Sequence, residues 1–245
     1  MRKAALVPLF TGFLCLCGQG RAGWGQEQSG VGGVDRFGFS ATWSPDSSHM
    51  LIGLAQQRRT WTLGAEYARR LNSSGRVRFE YEGSVLPLYE ETDPTDIGTT
   101  VTIGGQTFNT AQTPVRVVAV AHGPVGTAAE GELSAPIYAV FGRQDTYAWS
   151  LAPLGVRASV FPSRHVQPSL GLDAGFVVSH RDIPIDNADQ FNYMFAFGPA
   201  VELFVNPKTS WRLEYMYRHL SNAGEGALNP GIDQGVVRVT LNLYR

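Results

Sequence analysis

Cysteine is almost absent from this chain. The only two among 245 residues, Cys15 and Cys17, both lie in an apolar segment near the N-terminus. The rest of the sequence therefore excludes a disulfide framework, a cysteine-ligated metal centre and catalysis by a thiolate.

Charge is also sparse. Asp, Glu, Lys and Arg make up 17% of the residues, against about 25% in an average soluble domain. The formal net charge of -1 provides no electrostatic footprint for nucleic acid, so we expect no nucleic-acid partner. Aromatic residues are plentiful at 11%. This combination indicates that part of the surface does not face bulk water.

Long apolar runs are missing as well. Arg2 and Lys3 precede the stretch AALVPLFTGFLCLCG, which is too short to span a bilayer. The arrangement predicts a signal peptide over residues 1–25, with cleavage after Ala22 or Gly25. A lipoprotein signal at either cysteine is the competing interpretation, but neither cysteine follows the small residues that such a site prefers. No later segment predicts a transmembrane helix, but an exported chain can still be a membrane protein if it forms a barrel.

The sequence has instead a strong alternation of apolar and polar residues, which is typical of β-strands. At the C-terminus, for example, Val237, Val239 and Leu241 alternate with Arg238 and Thr240. We predict a first strand somewhere in 36–57, which the SPDS sequence at 44–47 could divide. Seven more strands are predicted at 60–71, 76–88, 147–161, 166–180, 190–205, 209–221 and 234–244.

The length and charge of these segments favour a membrane barrel. Many are longer than the 5–6 residues usual in soluble proteins and reach the roughly 9–11 that cross a bilayer. Their polar face carries charges of both signs, which could pair inside a small barrel: Glu66, Arg78, Glu80, Glu82, Asp173, Glu202, Arg212, Glu214, Arg218 and Arg238. We therefore predict an all-β, eight-stranded antiparallel barrel in a bacterial outer membrane, with apolar residues facing lipid. A soluble sandwich or lipocalin-like barrel is the alternative.

The connections predict the orientation of such a barrel. Short turns at one end (LNSSG, PSR and NPK) would face the periplasm, and the longer connections 181–189 and 222–233 would face outward. The Thr-, Gly- and Pro-rich segment 89–146 is expected to be a long outer loop or an added hairpin. Residues 26–245 are thus predicted to form one barrel domain.

A candidate nucleophile and base lie near the C-terminus, in YRHLSNAGEGALNPGID. His219 and Ser221 are two residues apart on a strand, so their side chains point to the same face, with Cα atoms about 6.5–7 Å apart. That face is the lipid-facing one, and Asp233 shares it on the next strand. If Asp233 lies opposite Ser221, it reaches His219 diagonally. The plainer interpretation is that these residues are interface and turn residues.

The same stretch, with its H-x-S-N motif followed by N-P-G, resembles the PagL-type family of lipid A 3-O-deacylases, also called acyloxyacyl hydrolases. Weaker similarity extends to APLG at 152–155 and FNYMFAFGP at 191–199. The resemblance implies an eight-stranded outer-membrane barrel that hydrolyses an ester-linked acyl chain of lipid A in lipopolysaccharide, without metal or cofactor.

The resemblance also implies roles for individual residues. Ser221 would be the nucleophile, His219 the base and Asp233 the acid, where the enzyme that typifies the family has glutamate. The oxyanion donors would be the Asn229 side chain and the Gly224 backbone N–H, with Asn222 as the motif asparagine. A non-enzymatic barrel that uses 89–146 for surface contact is the alternative function. Whether the protein forms a homodimer is left open by the sequence.

Overall fold

The fold was analysed in a computed structural model that describes residues 31–73, 75–131 and 133–245. The predicted signal peptide at 1–25 lies outside these residues. Ten strands follow one another: β1 (Asp35–Ser44), β2 (Arg59–Arg70), β3 (Val77–Ile103), β4 (Gln106–Arg116), β5 (Gly126–Glu130), β6 (Leu133–Val160), β7 (Val166–Ile183), β8 (Asp189–Asn206), β9 (Thr209–Ser221) and β10 (Ile232–Tyr244). Within the described part of the chain, no helix is long and apolar enough to cross a membrane.

Eight of these strands close into a ring. Neighbouring strands pair antiparallel in the order β1, β2, β3, β6, β7, β8, β9 and β10, and β10 returns to pair with β1. Closure leaves no free edge in the ring, so the backbone donors and acceptors of the strands are paired within the sheet, as a lipid environment requires. The predicted eight-stranded antiparallel barrel is confirmed.

Alternation along the strands separates an apolar outside from a charged inside. Large apolar side chains cover the outer face, among them Phe37, Phe39, Trp43, Phe79, Leu154, Leu170, Leu203, Trp211, Leu213 and Tyr215. In water this belt would be a large aggregation-prone surface, whereas hydrocarbon solvates it favourably.

The inside of the ring is filled by paired charges. Arg157 Nε lies 2.7 Å from Glu82 Oε1, and Arg238 Nη2 lies 2.7 Å from Asp173 Oδ2. Arg36 and Arg212 also pair with Glu82, so one carboxylate serves several arginines. These groups are solvated by each other rather than by water, and their density leaves the interior a packed core rather than a channel.

The segment 89–146 is not an irregular loop. β3 and β6 continue beyond the ring and remain paired as far as Val101 and Ile137. β4 and β5 add to the two edges of this extension, which gives a four-stranded sheet in the order β4, β3, β6 and β5. This four-stranded sheet occupies the segment for which a long outer loop or an added hairpin was expected. Its Thr-rich sequence extends the pairing, because β-branched residues favour extended backbone.

The first strand is shorter than the range considered for it. β1 ends at Ser44, and residues 45–58, here called the strap, cross the outer rim before β2 begins. Backbone bridges join Ser47 to Gln234 and Ala55 to Ile232, so the strap lies along the start of β10. The SPDS sequence marks the point where strand pairing stops, since Pro45 lacks the N–H that a ladder needs.

Candidate active site

The residues singled out from the sequence lie at the outer rim, at the adjoining ends of β9 and β10. His219 and Ser221 occupy outward-facing positions of β9, two and four residues beyond Tyr217, and Asp233 begins the outward face of β10. His219 is 6% exposed and Asp233 fully buried, while Ser221 is partly exposed. The nucleophile candidate is thus the member most open to the surroundings.

The register of the β9–β10 hairpin corrects the sequence interpretation. Asp233 pairs directly with His219, rather than with Ser221 as expected. Residues 222–231 form the loop between the two strands. The conformation of this loop decides which residues of β9 and β10 lie opposite each other, and the sequence does not reveal it. Directly opposed side chains are closer than diagonal ones, so a short acid reaches its partner.

The contact between the base and the acid is close. His219 Nδ1 lies 2.7 Å from Asp233 Oδ1. An ionised carboxylate only accepts hydrogen bonds, so this geometry assigns the proton to Nδ1 and leaves Nε2 as the basic nitrogen. The ring also packs against Phe195 on β8, with centroids 5.2 Å apart.

Asp233 has three further donors, none of which the sequence pattern identified. The Tyr217 hydroxyl donates to Oδ1 at 2.7 Å. The backbone N–H groups of Leu51 and Ile52 in the strap donate to Oδ2 at 2.7 and 2.9 Å. Such a set stabilises the ionised carboxylate and fixes its plane against His219.

The sequence contains weak signals for Tyr217 and for the strap. Tyr217 lies two residues before His219 and so shares its face, and the strap contains MLIGLA at 50–55, an apolar run in a connection that should be polar.

Ser221 has its own set of partners. Its Oγ lies 3.0 Å from Asn229 Nδ2 and 3.1 Å from Asn229 Oδ1, and it accepts a hydrogen bond from the Ala223 N–H at 3.1 Å. Among the hydrogen bonds of the described residues, none joins Ser221 to His219. The structure therefore brings His219 together with Asp233, and Ser221 together with Asn229.

The remaining predicted residues organise the loop. Asn222 is 1% exposed, accepts a hydrogen bond from the Gly224 N–H at 2.9 Å and donates to the Leu228 carbonyl at 2.9 Å. The Gly224 N–H is thus already engaged, not free to receive an oxyanion. Gly231 closes the loop at φ +59°, where a Cβ would lie 3.0 Å from His219 Cε1. Both its backbone conformation and the adjacent imidazole favour glycine.

The outward aromatic residues of β8 form the opposite wall of the site. Tyr193 pairs with Ser221 across the strands and is 46% exposed, and Phe195 pairs with His219. Ser221 therefore lies at the outer rim between an aromatic wall on β8 and the strap on β10. In the described part of the chain, no group of three or more His, Cys, Asp or Glu residues could hold a metal ion.

The fold and its lipid-facing belt define a small outer-membrane β-barrel with a polar cluster on the outside of its rim. The family model for lipid A 3-O-deacylase (PagL) matches residues 116–242, which is 127 of 245 residues. The chain belongs to this family and is a bacterial outer-membrane protein.

Comparisons with other proteins gave further likenesses. The outer-membrane enzyme PagL is similar at 11% identity, with a TM-score of 0.48 and coverage of 83% of this chain and 97% of that one. Neisserial surface protein A (NspA) is similar at 12% identity, with a TM-score of 0.44 and coverage of 86% of this chain and 97% of that one. The outer-membrane protein OprG from Pseudomonas aeruginosa is similar at 12% identity, with a TM-score of 0.43 and coverage of 89% of this chain and 100% of that one. A search of curated proteins found no match.

Proposed function

We propose that this protein is an esterase that removes an ester-linked (3-hydroxy)acyl chain from lipid A of lipopolysaccharide by a Ser-His-Asp mechanism. The observation that carries the proposal is the 2.7 Å contact between His219 Nδ1 and Asp233 Oδ1 on the lipid-facing side of the rim. A strand-end cluster with no chemical role would not need a buried, multiply hydrogen-bonded carboxylate beside a histidine. Membership of the lipid A 3-O-deacylase family supports the choice of substrate.

In this mechanism Asp233 accepts a hydrogen bond from the N–H at Nδ1 of His219. Nε2 of His219 then accepts the proton of Ser221. Ser221 Oγ attacks the ester carbonyl and forms a tetrahedral intermediate. The C–O bond to the sugar breaks, and His219 returns its proton to the leaving alkoxide. Water, deprotonated by His219, then attacks the acyl-enzyme and releases the fatty acid and the free serine.

The first step requires Ser221 to exchange its hydrogen bond. Rotation about the Cα–Cβ bond of Ser221 would move Oγ from Asn229 toward His219, since both side chains lie on one face of β9. This rotation would also leave Asn229 Nδ2 free to donate to the oxyanion. The Gly224 N–H, the second proposed donor, would first have to release Asn222 Oδ1. Loss of one such donor lowers the rate by about 10²–10³-fold in characterised hydrolases.

The position of the site suits an insoluble substrate. The barrel interior is packed with ion pairs, whereas Ser221 opens outward at the rim, where the ester bonds of an outer-leaflet lipid would lie. An acyl chain would therefore reach the serine from within the membrane, without leaving hydrocarbon.

The test is mass spectrometry of lipid A from cells that express the protein. The wild type should yield lipid A that lacks one ester-linked 3-hydroxyacyl chain, and Ser221→Ala should restore the full acyl count. Ser134→Ala, which changes an exposed serine in the outer sheet, is the matched control and should behave as wild type. Identical lipid A from the wild type and Ser221→Ala would leave the non-enzymatic barrel as the better interpretation.

A further inference from the structure

The strap exposes an unusual set of side chains. Met50, Leu51, Ile52 and Leu54 are 40, 62, 59 and 51% exposed, although they lie in a connection between strands. The run MLIGLA at 50–55 contains no charged residue. Connections at a water-facing rim are normally polar, so an exposed apolar cluster there marks a contact with another apolar phase.

The backbone of the strap is held by hydrogen bonds at several points. Ser48 N–H donates to the Asp233 carbonyl at 3.1 Å, Leu54 N–H to that of Pro230, and Ala55 N–H to that of Gly231 at 3.0 Å. At the far end, Arg58 is fully buried and donates to carbonyls of neighbouring segments, including Val118 at 2.7 Å. The strap is thus anchored at both ends, with its middle lying over the acid.

The same residues that expose apolar side chains hold the acid with their amides. Leu51 and Ile52 donate their N–H groups to Asp233 Oδ2, while their side chains remain largely exposed. On the other side of the site stand Tyr193 and Phe195 on β8. Ser221 on β9 thus lies between the aromatic residues of β8 and the strap, which follows the start of β10.

We propose that the strap is a binding surface for the fatty acyl chain of the lipid whose ester is cleaved. This inference rests on the proposed function and adds the residues that recognise the hydrocarbon part of the substrate. An acyl chain fits because the surface is uncharged, apolar and exposed, and because it adjoins Asp233, the acid of the proposed site. A sugar or phosphate group would require polar side chains on this run.

The experiment compares esters of one chromogenic alcohol with a short and a long acyl chain, hydrolysed by purified protein in detergent micelles. The double variant Met50→Ser/Leu54→Ser removes two exposed apolar side chains of the strap and leaves unchanged Leu51 and Ile52, whose amides donate to Asp233. We expect KM for the long-chain ester to rise about tenfold, the effect of losing contact with roughly two methylenes. Hydrolysis of the short-chain ester should be unchanged. Leu88→Ser, which alters an outward side chain on β3 that is 53% exposed, is the control and should affect neither ester.

The outcomes separate the two proposals. If the wild type hydrolyses neither ester nor lipid A, the proposed function is wrong and the inference falls with it. If the wild type is active and the double variant keeps the same preference for long chains, only the acyl-binding strap is refuted. Should the double variant fail to assemble, as judged by the heat-dependent mobility of the folded barrel, Leu54→Ser provides the same comparison, since its side chain is 51% exposed.

Discussion

Lengthening the acid should impair the proposed esterase activity. Asp233 is fully buried, and its two oxygens meet His219 Nδ1, the Tyr217 hydroxyl and the N–H groups of Leu51 and Ile52 at 2.7–2.9 Å. Asp233→Glu adds one methylene, about 1.5 Å of chain, between a fixed backbone and this fixed set of donors. The longer carboxylate must displace either the imidazole or the strap.

The size of the effect follows from that geometry. Overpacking a filled site costs about 1–3 kcal/mol, and a displacement of about 1 Å in a catalytic group can cost 10²-fold in rate. We expect kcat of Asp233→Glu to fall about 10- to 100-fold. Asp233→Asn, which retains the shape but loses the charge and can select the wrong imidazole tautomer, should lose about 10³–10⁴-fold.

The assay is release of 3-hydroxy fatty acid from purified lipopolysaccharide in detergent. Asp145→Glu makes the same change at an exposed aspartate on β6, and its rate should match that of the wild type. Asp233→Glu as active as the wild type would refute the argument, because it would mean that the strap does not hold the carboxylate in place.

Four other predictions concern single contacts. Gly53→Ala would place a Cβ 2.5 Å from the Asp233 backbone nitrogen, so the strap should shift and kcat in the same assay should fall at least about tenfold. Tyr217→Phe removes one donor to the acid, and the loss of a hydrogen bond to a charged group should lower kcat by about tenfold or more without changing KM. Asn229→Ala should lower kcat by about 10²–10³-fold as an oxyanion donor, whereas a purely structural asparagine would mainly alter thermal stability. Glu82→Leu leaves buried arginines without their shared partner, at a cost of about 3–5 kcal/mol that should lower the temperature at which the folded, fast-migrating species disappears in electrophoresis.

The ring of strands was predictable because a barrel wall faces two different media. Each strand must alternate between lipid and a packed interior, so Trp211, Leu213 and Tyr215 mark one face and Arg212 and Glu214 the other. Most predicted boundaries lie within a few residues of the observed ones. The exceptions are β1 and the extension of β3 and β6, where the chain leaves the membrane and alternation no longer has a physical cause.

The sequence by itself determined which residues face outward, because side-chain direction has a period of two along a strand. That placed His219, Ser221 and Asp233 on the lipid side of one rim. Only the tertiary structure decided how they meet, since the pairing register depends on how the 222–231 loop folds. It also placed the strap over Asp233, a contact between residues some 180 positions apart that no local pattern encodes. The alternation along a strand thus fixes the direction of each side chain. Contacts between distant segments, such as the strap and Asp233, exist because β10 pairs with β1 when the ring closes.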